Sequence, residues 1–304
     1  MKTRVTIISV CLNNEKVLPL FLDQMQKWSY TDFHYILVDN GSRDHSVEMV
    51  RSRIGNASII ELGQNLGTTG GFNRGFEETR RWGAEYVMWL SPDVLLAPDC
   101  LGLLVDELDR QPKVGAVGPV LFKSHDLSLV ESAGFTVDRR DWSIYANYGG
   151  QREPLTITPT LYADYIDGGT TLFRLSALEK VGLLDEVLFM YSEDLDMCLR
   201  LREAGYEVVV VSKARAWHRH TEIRQEDQDP RPYEVYYMYR NLTYLVRRRA
   251  PSSERRAYYA RLLRQLPKFL GYFFICKKSP QLALVYVEAL LHGLTGRMGK
   301  TRYV

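Results

Sequence analysis

Short apolar runs at residues 5–10, 35–38, 58–62, 86–90 and 114–121 read as buried strands. Between them polar and apolar positions repeat at helical spacing. Residues 15–28 carry Val17, Leu18, Phe21, Leu22 and Met25 on one face, residues 72–82 form a second such stretch, and Pro98 opens another. Asp44 reads as a helix cap, and the Asn40-Gly41 pair demands a turn. Strand and helix alternating through short links predict a mostly parallel sheet covered on both faces. Such sheets bind ligands at the carboxyl ends of their strands.

The pattern then changes. Residues 124–166 are irregular, with aromatic and polar β-type stretches around Phe135, Trp142 and Tyr145, and suggest a small mixed sheet or an insertion. A helix over 192–204, a strand over 206–211 and a loop carrying His218 complete the main region, and Pro230 and Pro232 mark its end. Three helical stretches follow, at about 233–249, 252–275 and 280–294. The expected organisation is a main α/β domain over 1–230, with its alternating half in 1–122 and its less regular half in 123–230, then a helical extension over 231–304.

Charge sharpens that boundary. The formal net charge is only +2, but residues 231–304 hold 15 Lys and Arg against 3 Asp and Glu, a net of +12. The preceding 230 residues carry a net of −10. An acidic body with a basic tail needs a reason. Arg247-Arg248-Arg249, Arg255-Arg256 and the stretch from Lys268 to Lys278, which encloses Tyr272, Phe273, Phe274 and Ile275, suit either a solvated helical face or attachment to anionic lipid at the headgroup boundary. No nucleic-acid-binding motif accompanies the charge, so nucleic acid is not expected as a partner. The four cysteines are scattered without a CxxC pair, as in a reduced cytosolic protein. The first apolar run is short and ends in Asn13-Asn14-Glu15, which favours a strand over a signal peptide. No run approaches the roughly 20 residues of a membrane span.

Candidate chemistry concentrates in residues 185–196, where Asp185, Glu186, Glu193, Asp194 and Asp196 are interleaved with Leu, Phe, Met and Tyr. Carboxylates held against apolar walls lose hydration, and their pKa rises toward the range of a useful base. The plainer alternative is a helix capped by Ser192 with ordinary first-turn acids. Asp39 and Asp93 each follow a strand, where ligand contacts or simple turns are both expected. The segment Asn65 to Gly75 holds four glycines, at 67, 70, 71 and 75, and reads as a loop that lets backbone approach a ligand before a helix begins. The GxGxxG order is absent, which disfavours NAD-dependent hydride transfer. His218, with Arg219 and His220 beside it, gives Asp93 a candidate metal-binding companion. Magnesium- or manganese-type sites use one or two side chains and take the rest from phosphates and water.

In order and spacing these pieces resemble glycosyltransferase family 2, in its rhamnosyltransferase-like branch with a GT-A fold. The resemblance rests on Val10-Cys-Leu-Asn13, Val38-Asp-Asn-Gly-Ser42, Asn65-Leu-Gly67, Asn73-Arg-Gly75 and Leu90-Ser-Pro-Asp-Val94. It continues through Asp167-Gly-Gly169, Gly182-Leu-Leu-Asp-Glu186, the Tyr191 to Arg200 run, Gly205-Tyr206, His218 and Tyr236-Tyr-Met-Tyr-Arg-Asn241. It implies a Rossmann-like α/β fold in which Cys11, Leu12, Asn13 and Asp39 hold the nucleoside, with Asn65, Gly67, Asn73 and Pro92 in the same nucleotide-binding set. It also implies Mg²⁺ or Mn²⁺ on Asp93 with help from His218, and Asp194 of the Glu193-Asp194 pair as general base. The family usually has Tyr where Leu12 stands, which bears on stacking against the base. It usually has Asn or Asp where Ser91 stands, which leaves Asp93 the sole carboxylate of that motif.

The activity implied is inverting transfer of a sugar, rhamnose first, from a dTDP- or UDP-sugar to a glycan or lipid-linked acceptor. Such an enzyme would work in the cytoplasm, at the inner face of the cytoplasmic membrane if the tail binds lipid. Two other readings stay open. A nucleotidyltransferase needs a basic, Gly-rich first loop that residues 10–15 lack. A non-catalytic nucleotide-sugar-binding or membrane-associated scaffold would not need Asp93, Glu193 and Asp194 together.

Overall fold

The computed structural model describes residues 3–153, 159–219 and 230–304, which fall into two compact units. The larger takes in residues up to 136, 146–184 and 194–225; the smaller comprises 137–145, 185–193 and 226–304.

The larger unit is built on a sheet whose first half follows the expected alternation. Strand β1 (Val5–Cys11) leads to α1 (Leu18–Met25), β2 (Phe33–Asp39), α2 (Ser46–Arg53), β3 (Ser58–Glu61), α3 (Gly67–Thr79) and β4 (Tyr86–Leu90). Strands β3, β2, β1 and β4 lie side by side and parallel. After β5 (Val94–Leu96), α4 (Cys100–Arg110) and β6 (Val114–Lys123) come β7 (Asp126–Ser132), β8 (Phe135–Asp138), β9 (Ser143–Ala146) and β10 (Thr160–Tyr162). Strand β11 (Thr170–Arg174) then enters antiparallel between β4 and β6. Helices α5 (Leu175–Val181) and α6 (Glu193–Glu203) and strand β12 (Glu207–His218) close the unit, with β12 parallel to β6. The sheet is therefore mixed in its second half, and β8 with β9, most of whose residues belong to the smaller unit, forms a separate two-stranded sheet.

Burial on both faces explains why β1 is largely apolar, and its two polar residues, Thr6 and Ser9, are buried with hydrogen bonds to Thr79 Oγ1 and the Leu90 carbonyl. Val5 and Ile7 join the core shared with Phe21 and Leu22 of α1 and Leu101 and Leu104 of α4. Ile8 and Val10 face α3 on the other side, where Gly71 and Gly75 pass directly over them. A strand covered on both faces has no position at which a polar residue gains by facing water.

The smaller unit is helical at its centre, with α7 (Pro232–Arg249), α8 (Ser252–Gly271) continuing into a π-helical turn at Tyr272–Cys276, and α9 (Pro280–Thr295). Tyr286 of α9 stacks on Phe269 of α8 at 5.1 Å and meets Tyr239 of α7 edge-on at 4.6 Å. Arg240 is 1% exposed, yet its guanidinium donates to the carbonyls of Leu188 at 2.8 Å and Gly299 at 2.6 Å and lies against Tyr236 and Tyr237. A buried cation persists when its donors are satisfied in this way. Asn241 adds bonds to the carbonyls of Leu188, Met190 and Tyr191. Between them the two residues hold a segment in which Phe189, Tyr191 and Ser192 all take positive φ. No helix among the described residues is long and apolar enough to cross a membrane.

Candidate active site

The carboxyl ends of β1, β2 and β4 share one edge of the sheet. Because β11 is antiparallel to β4, the loop before it reaches the same edge: Ser91 N–H donates to the Gly169 carbonyl at 3.0 Å, and Thr170 pairs with Leu90. The end of β12 joins them through β5, where His218 pairs with Val94 and Arg219 N–H donates to the Asp93 carbonyl at 2.8 Å.

On the β1–β2 side Cys11 is paired with Asp39, and the Asn40 N–H donates to the Cys11 carbonyl at 2.8 Å. Buried Asp39 closes its own turn by accepting from the N–H groups of Gly41 and Ser42, all at 3.1 Å. Gly41 is required there, since it sits at φ +86 and a Cβ would lie 3.0 Å from Gln64 N. Asn13, at φ +55, donates its N–H to Ser42 Oγ and accepts from Arg43 N–H, both at 2.9 Å. The two strand-end turns are thus tied into one platform that exposes Leu12 and Asn13. Asp39 keeps lone pairs beyond those its turn uses.

The glycine-rich segment departs from expectation. It is not a loop but the first turns of α3, beginning at Gly67 after Asn65, whose Oδ1 accepts from Gly67 N–H at 2.9 Å. A Cβ on Gly71 would lie 2.5 Å from Val10 Cγ1, and one on Gly75 would lie 2.5 Å from Ile8 Cγ2. These glycines bring the helix close to the sheet instead of bringing backbone to a ligand. Asn73 is buried and exchanges two hydrogen bonds with the backbone of Leu184, at 3.0 and 3.1 Å, a packing role within the fold. Of the four residues expected with the nucleotide on this side, Asn65 and Gly67 lie at the helix start, Pro92 is buried in the turn after β4, and Asn73 points into the core.

Five titratable groups gather on the other side of the edge. Asp93 Oδ2 lies 3.5 Å from His218 Nε2, and Glu131 Oε1 lies 3.2 Å from His218 Nδ1. His218 is the last residue of β12, not part of a loop after a strand ending near 211, because β12 runs on beside β6 past an irregularity between Val211 and Arg215. Burial alone would lower the His218 pKa. Its hydrogen bonds to Asp93 and Glu131 outweigh that and hold it well above the usual histidine range. His220 lies outside the described residues.

Asp194 stands in the first turn of α6, with Oδ1 accepting from Leu195 N–H at 2.7 Å and Oδ2 from Gly168 N–H at 3.3 Å. Burial, then the neighbouring Asp167 carboxylate, push its pKa from 3.8 up to about 7. Burial raises Asp167 as well, with His218 opposing. The desolvation expected for the 185–196 run is therefore present at Asp194. Asp196 is different: it is tied to Arg200 at 2.9 Å, and Arg200 also donates to the carbonyls of Val181, Gly182 and Leu183. Asp185 accepts from Val187 N–H at 3.3 Å, and Glu193 is buried as the first residue of α6. Ser192 takes φ +63, outside the extended region that a capping serine normally adopts.

The residues fit a divalent cation. Two cis ligands of one Mg²⁺ or Mn²⁺ with bonds of roughly 2.1 Å lie about 3 Å apart, close to the 3.5 Å between Asp93 Oδ2 and His218 Nε2. No group of three or more His, Cys, Asp and Glu side chains among the described residues is arranged to hold a metal alone. Two members of the cluster escaped sequence reasoning. Asp167 stood in a recognised Asp-Gly-Gly run without a role; Glu131 lies in the irregular region, where no motif marks it.

The sequence profile described as glycosyl transferase family 2 matches residues 6–182, more than half of the chain. An N-acetylglucosaminyl-diphospho-decaprenol L-rhamnosyltransferase of Mycobacterium tuberculosis H37Rv is 29% identical over 233 residues, covering 70% of this chain and 75% of that protein. Among solved structures, the mannosyltransferase PcManGT from Pyrobaculum calidifontis, in complex with GDP-Man and Mn²⁺, aligns with a TM-score of 0.58 at 18% identity over 100% of this chain and 78% of that one. TarS of S. aureus, in complex with UDP-GlcNAc, aligns at 0.59 and 14% identity over 97% and 82%. Both share the GT-A fold.

Proposed function

Because this chain belongs to glycosyl transferase family 2 and is a nucleotide-sugar-dependent glycosyltransferase, we propose that it transfers its sugar with inversion and that Asp194 is the general base. The observation that carries this reading is a half-buried carboxylate at the carboxyl edge of the sheet, held against apolar neighbours and Asp167, whose pKa lies near neutrality, where a base is most effective. An acceptor hydroxyl gives its proton to Asp194 while its oxygen forms the new bond to the anomeric carbon. The bond from that carbon to the diphosphate breaks on the opposite face. One base suffices, and no enzyme nucleophile is required. Asp93 and His218 would hold a divalent cation, which supplies charge neutralisation for the departing diphosphate. The platform of Cys11, Leu12, Asn13 and Asp39 would seat the nucleoside.

Rhamnose from a dTDP donor is the first candidate for the sugar, and a lipid-diphosphate-linked glycan for the acceptor; the name of the rhamnosyltransferase relative supports the rhamnose and the lipid-diphosphate acceptor. A thermal-shift panel of dTDP- and UDP-sugars with and without Mn²⁺ tests the donor side. A ligand at 100 times its Kd adds about 2.7 kcal/mol of stability. A panel in which no nucleotide sugar raises the melting temperature would remove this reading.

The smaller unit is proposed to rest on anionic lipid at the inner face of the cytoplasmic membrane. Phe274 and Ile275 in the π-helical turn are 50% and 75% exposed, as is Leu284 of α9 at 69%, and Lys268, Lys277 and Lys278 flank that turn. Of the apolar cluster Tyr272 to Ile275, Phe273 does not serve: it is 3% exposed and packs near Tyr286. Apolar tips ringed by cations suit a headgroup boundary.

A further inference from the structure

Glu131 has no place in any motif, yet the fold delivers it to the candidate metal site by a specific device. Strand β6 lies between β7 and β12. Along β6 the pairing with β7 advances one residue, from Leu121 to Phe122, while β7 moves from Ser132 to Val130. Glu131 is thus the extra residue of a β-bulge, the irregularity that re-aims a side chain out of the strand's ordinary alternation. Phe122 and Lys123 of β6 pair on their other side with Trp217 and His218. The bulge lets Glu131 reach across β6 and place Oε1 3.2 Å from His218 Nδ1.

The two imidazole nitrogens are thereby given different neighbours, Nδ1 facing Glu131 and Nε2 facing Asp93 at 3.5 Å. An imidazole that ligates a cation through one nitrogen needs its other N–H fixed by an acceptor, which sets both the tautomer and the ring plane. We propose that Glu131 is a positioning residue for the metal site, holding His218 with its Nδ1–H on the carboxylate and its Nε2 lone pair toward the cation shared with Asp93. This rests on the metal-assisted reading given above, and extends it to a residue outside the ligand set. Glu131 touches neither cation nor substrate; it acts through His218.

The test is Mn²⁺ affinity, measured by electron paramagnetic resonance titration of the full chain with and without UDP, for wild type, Glu131→Ala, Glu131→Gln, His218→Ala and the double variant. Loss of an outer partner of a metal-bound histidine typically weakens binding about 10–100-fold. Glu131→Ala is expected to show that loss. Glu131→Gln, which retains an acceptor for Nδ1–H, should lose less. In the His218→Ala background, Glu131→Ala should have no further effect, because its only route to the cation is gone. A general folding role predicts instead equal losses in both backgrounds, accompanied by a lower metal-free melting temperature. Mn²⁺ affinity within twofold of wild type in Glu131→Ala, or additive losses in the double variant, would overturn the proposal while leaving the metal site standing. Failure of the wild type to bind Mn²⁺, or of His218→Ala to weaken it, would overturn both.

Discussion

One backbone step joins Asp167 to Asp194. The Gly168 N–H donates to Asp194 Oδ2 at 3.3 Å, and Asp167 Oδ1 accepts from the next amide, Gly169, at 3.0 Å. The loop before β11 therefore sets two half-buried carboxylates beside each other at the edge where β1, β2 and β4 end, and like charges that cannot both ionise freely drive at least one pKa upward.

Asp194→Asn should lower kcat by about 10²–10⁴-fold, the usual contribution of a general base. Nucleoside diphosphate affinity, read by calorimetry, should stay within a few-fold of wild type. A variant retaining more than about a tenth of wild-type turnover would assign the base elsewhere.

The pH dependence follows from the same pair. In its proposed role as base Asp194 would have to be ionised, so kcat/KM should rise with pH along a limb centred near its pKa of about 7. Asp167→Asn removes the neighbouring negative charge, and the limb should move to lower pH. An unmoved or upward-moving limb would separate the two residues.

Stability carries the opposite sign. The folded-state pKa of Asp194 is raised from 3.8 to about 7. Its protonated form is thus favoured by folding, and that contribution, full below about pH 4, is lost as pH rises through about 7. At pH 8 Asp194→Asn should melt above wild type, by at most about 4 kcal/mol of stability at 1.36 kcal/mol per pKa unit. The gap should close by pH 4. Calorimetric melts at the two pH values decide it.

Asp93→Ala should weaken UDP and dTDP binding in the presence of Mn²⁺ and leave metal-free binding unchanged, with His218→Ala a milder version. Calorimetric titrations with and without Mn²⁺ provide the comparison, and equal affinities across all three proteins would remove the metal role.

Gly71→Ala and Gly75→Ala should each destabilise the fold by about 1–3 kcal/mol, the usual cost of overpacking. Their new Cβ atoms would fall 2.5 Å from Val10 Cγ1 and Ile8 Cγ2, branched side chains in β1 with no flexible end to move. Urea unfolding measures this. A ligand-cradling loop would instead lose nucleotide affinity at unchanged stability.

Ile275→Glu with Lys277→Glu and Lys278→Glu should release the protein from vesicles containing anionic lipid in flotation assays. Wild type should ignore neutral vesicles and detach as salt rises and the Debye length shrinks from about 10 Å at 0.1 M to about 3 Å at 1 M. Equal recovery on both vesicle types would leave only a solvated basic face.

The strands and helices of the first half were legible in the residues because hydrophobic period and strand-end turns are local. Tyr86–Leu90 falls where its apolar run does, and Asp39, Asp93 and Asp194 lie at element ends that the sequence marks. Asp194 was readable as a base candidate for a similar reason, since its apolar neighbours within a few positions already imply desolvation. Other features depended on residues far apart in the chain. Gly71 and Gly75 look the same in a ligand loop and in a tightly packed helix; only Val10 and Ile8, more than sixty residues earlier, distinguish the two. Asn73 is spoken for by Leu184, 111 residues away. Glu131 and His218 are 87 residues apart and meet because a bulge in β7 and an irregularity in β12 are registered on the same strand, β6. Periodicity and turn chemistry are written residue by residue, whereas which carboxylate faces which imidazole is set by strand order and register, and those are properties of the packed sheet alone.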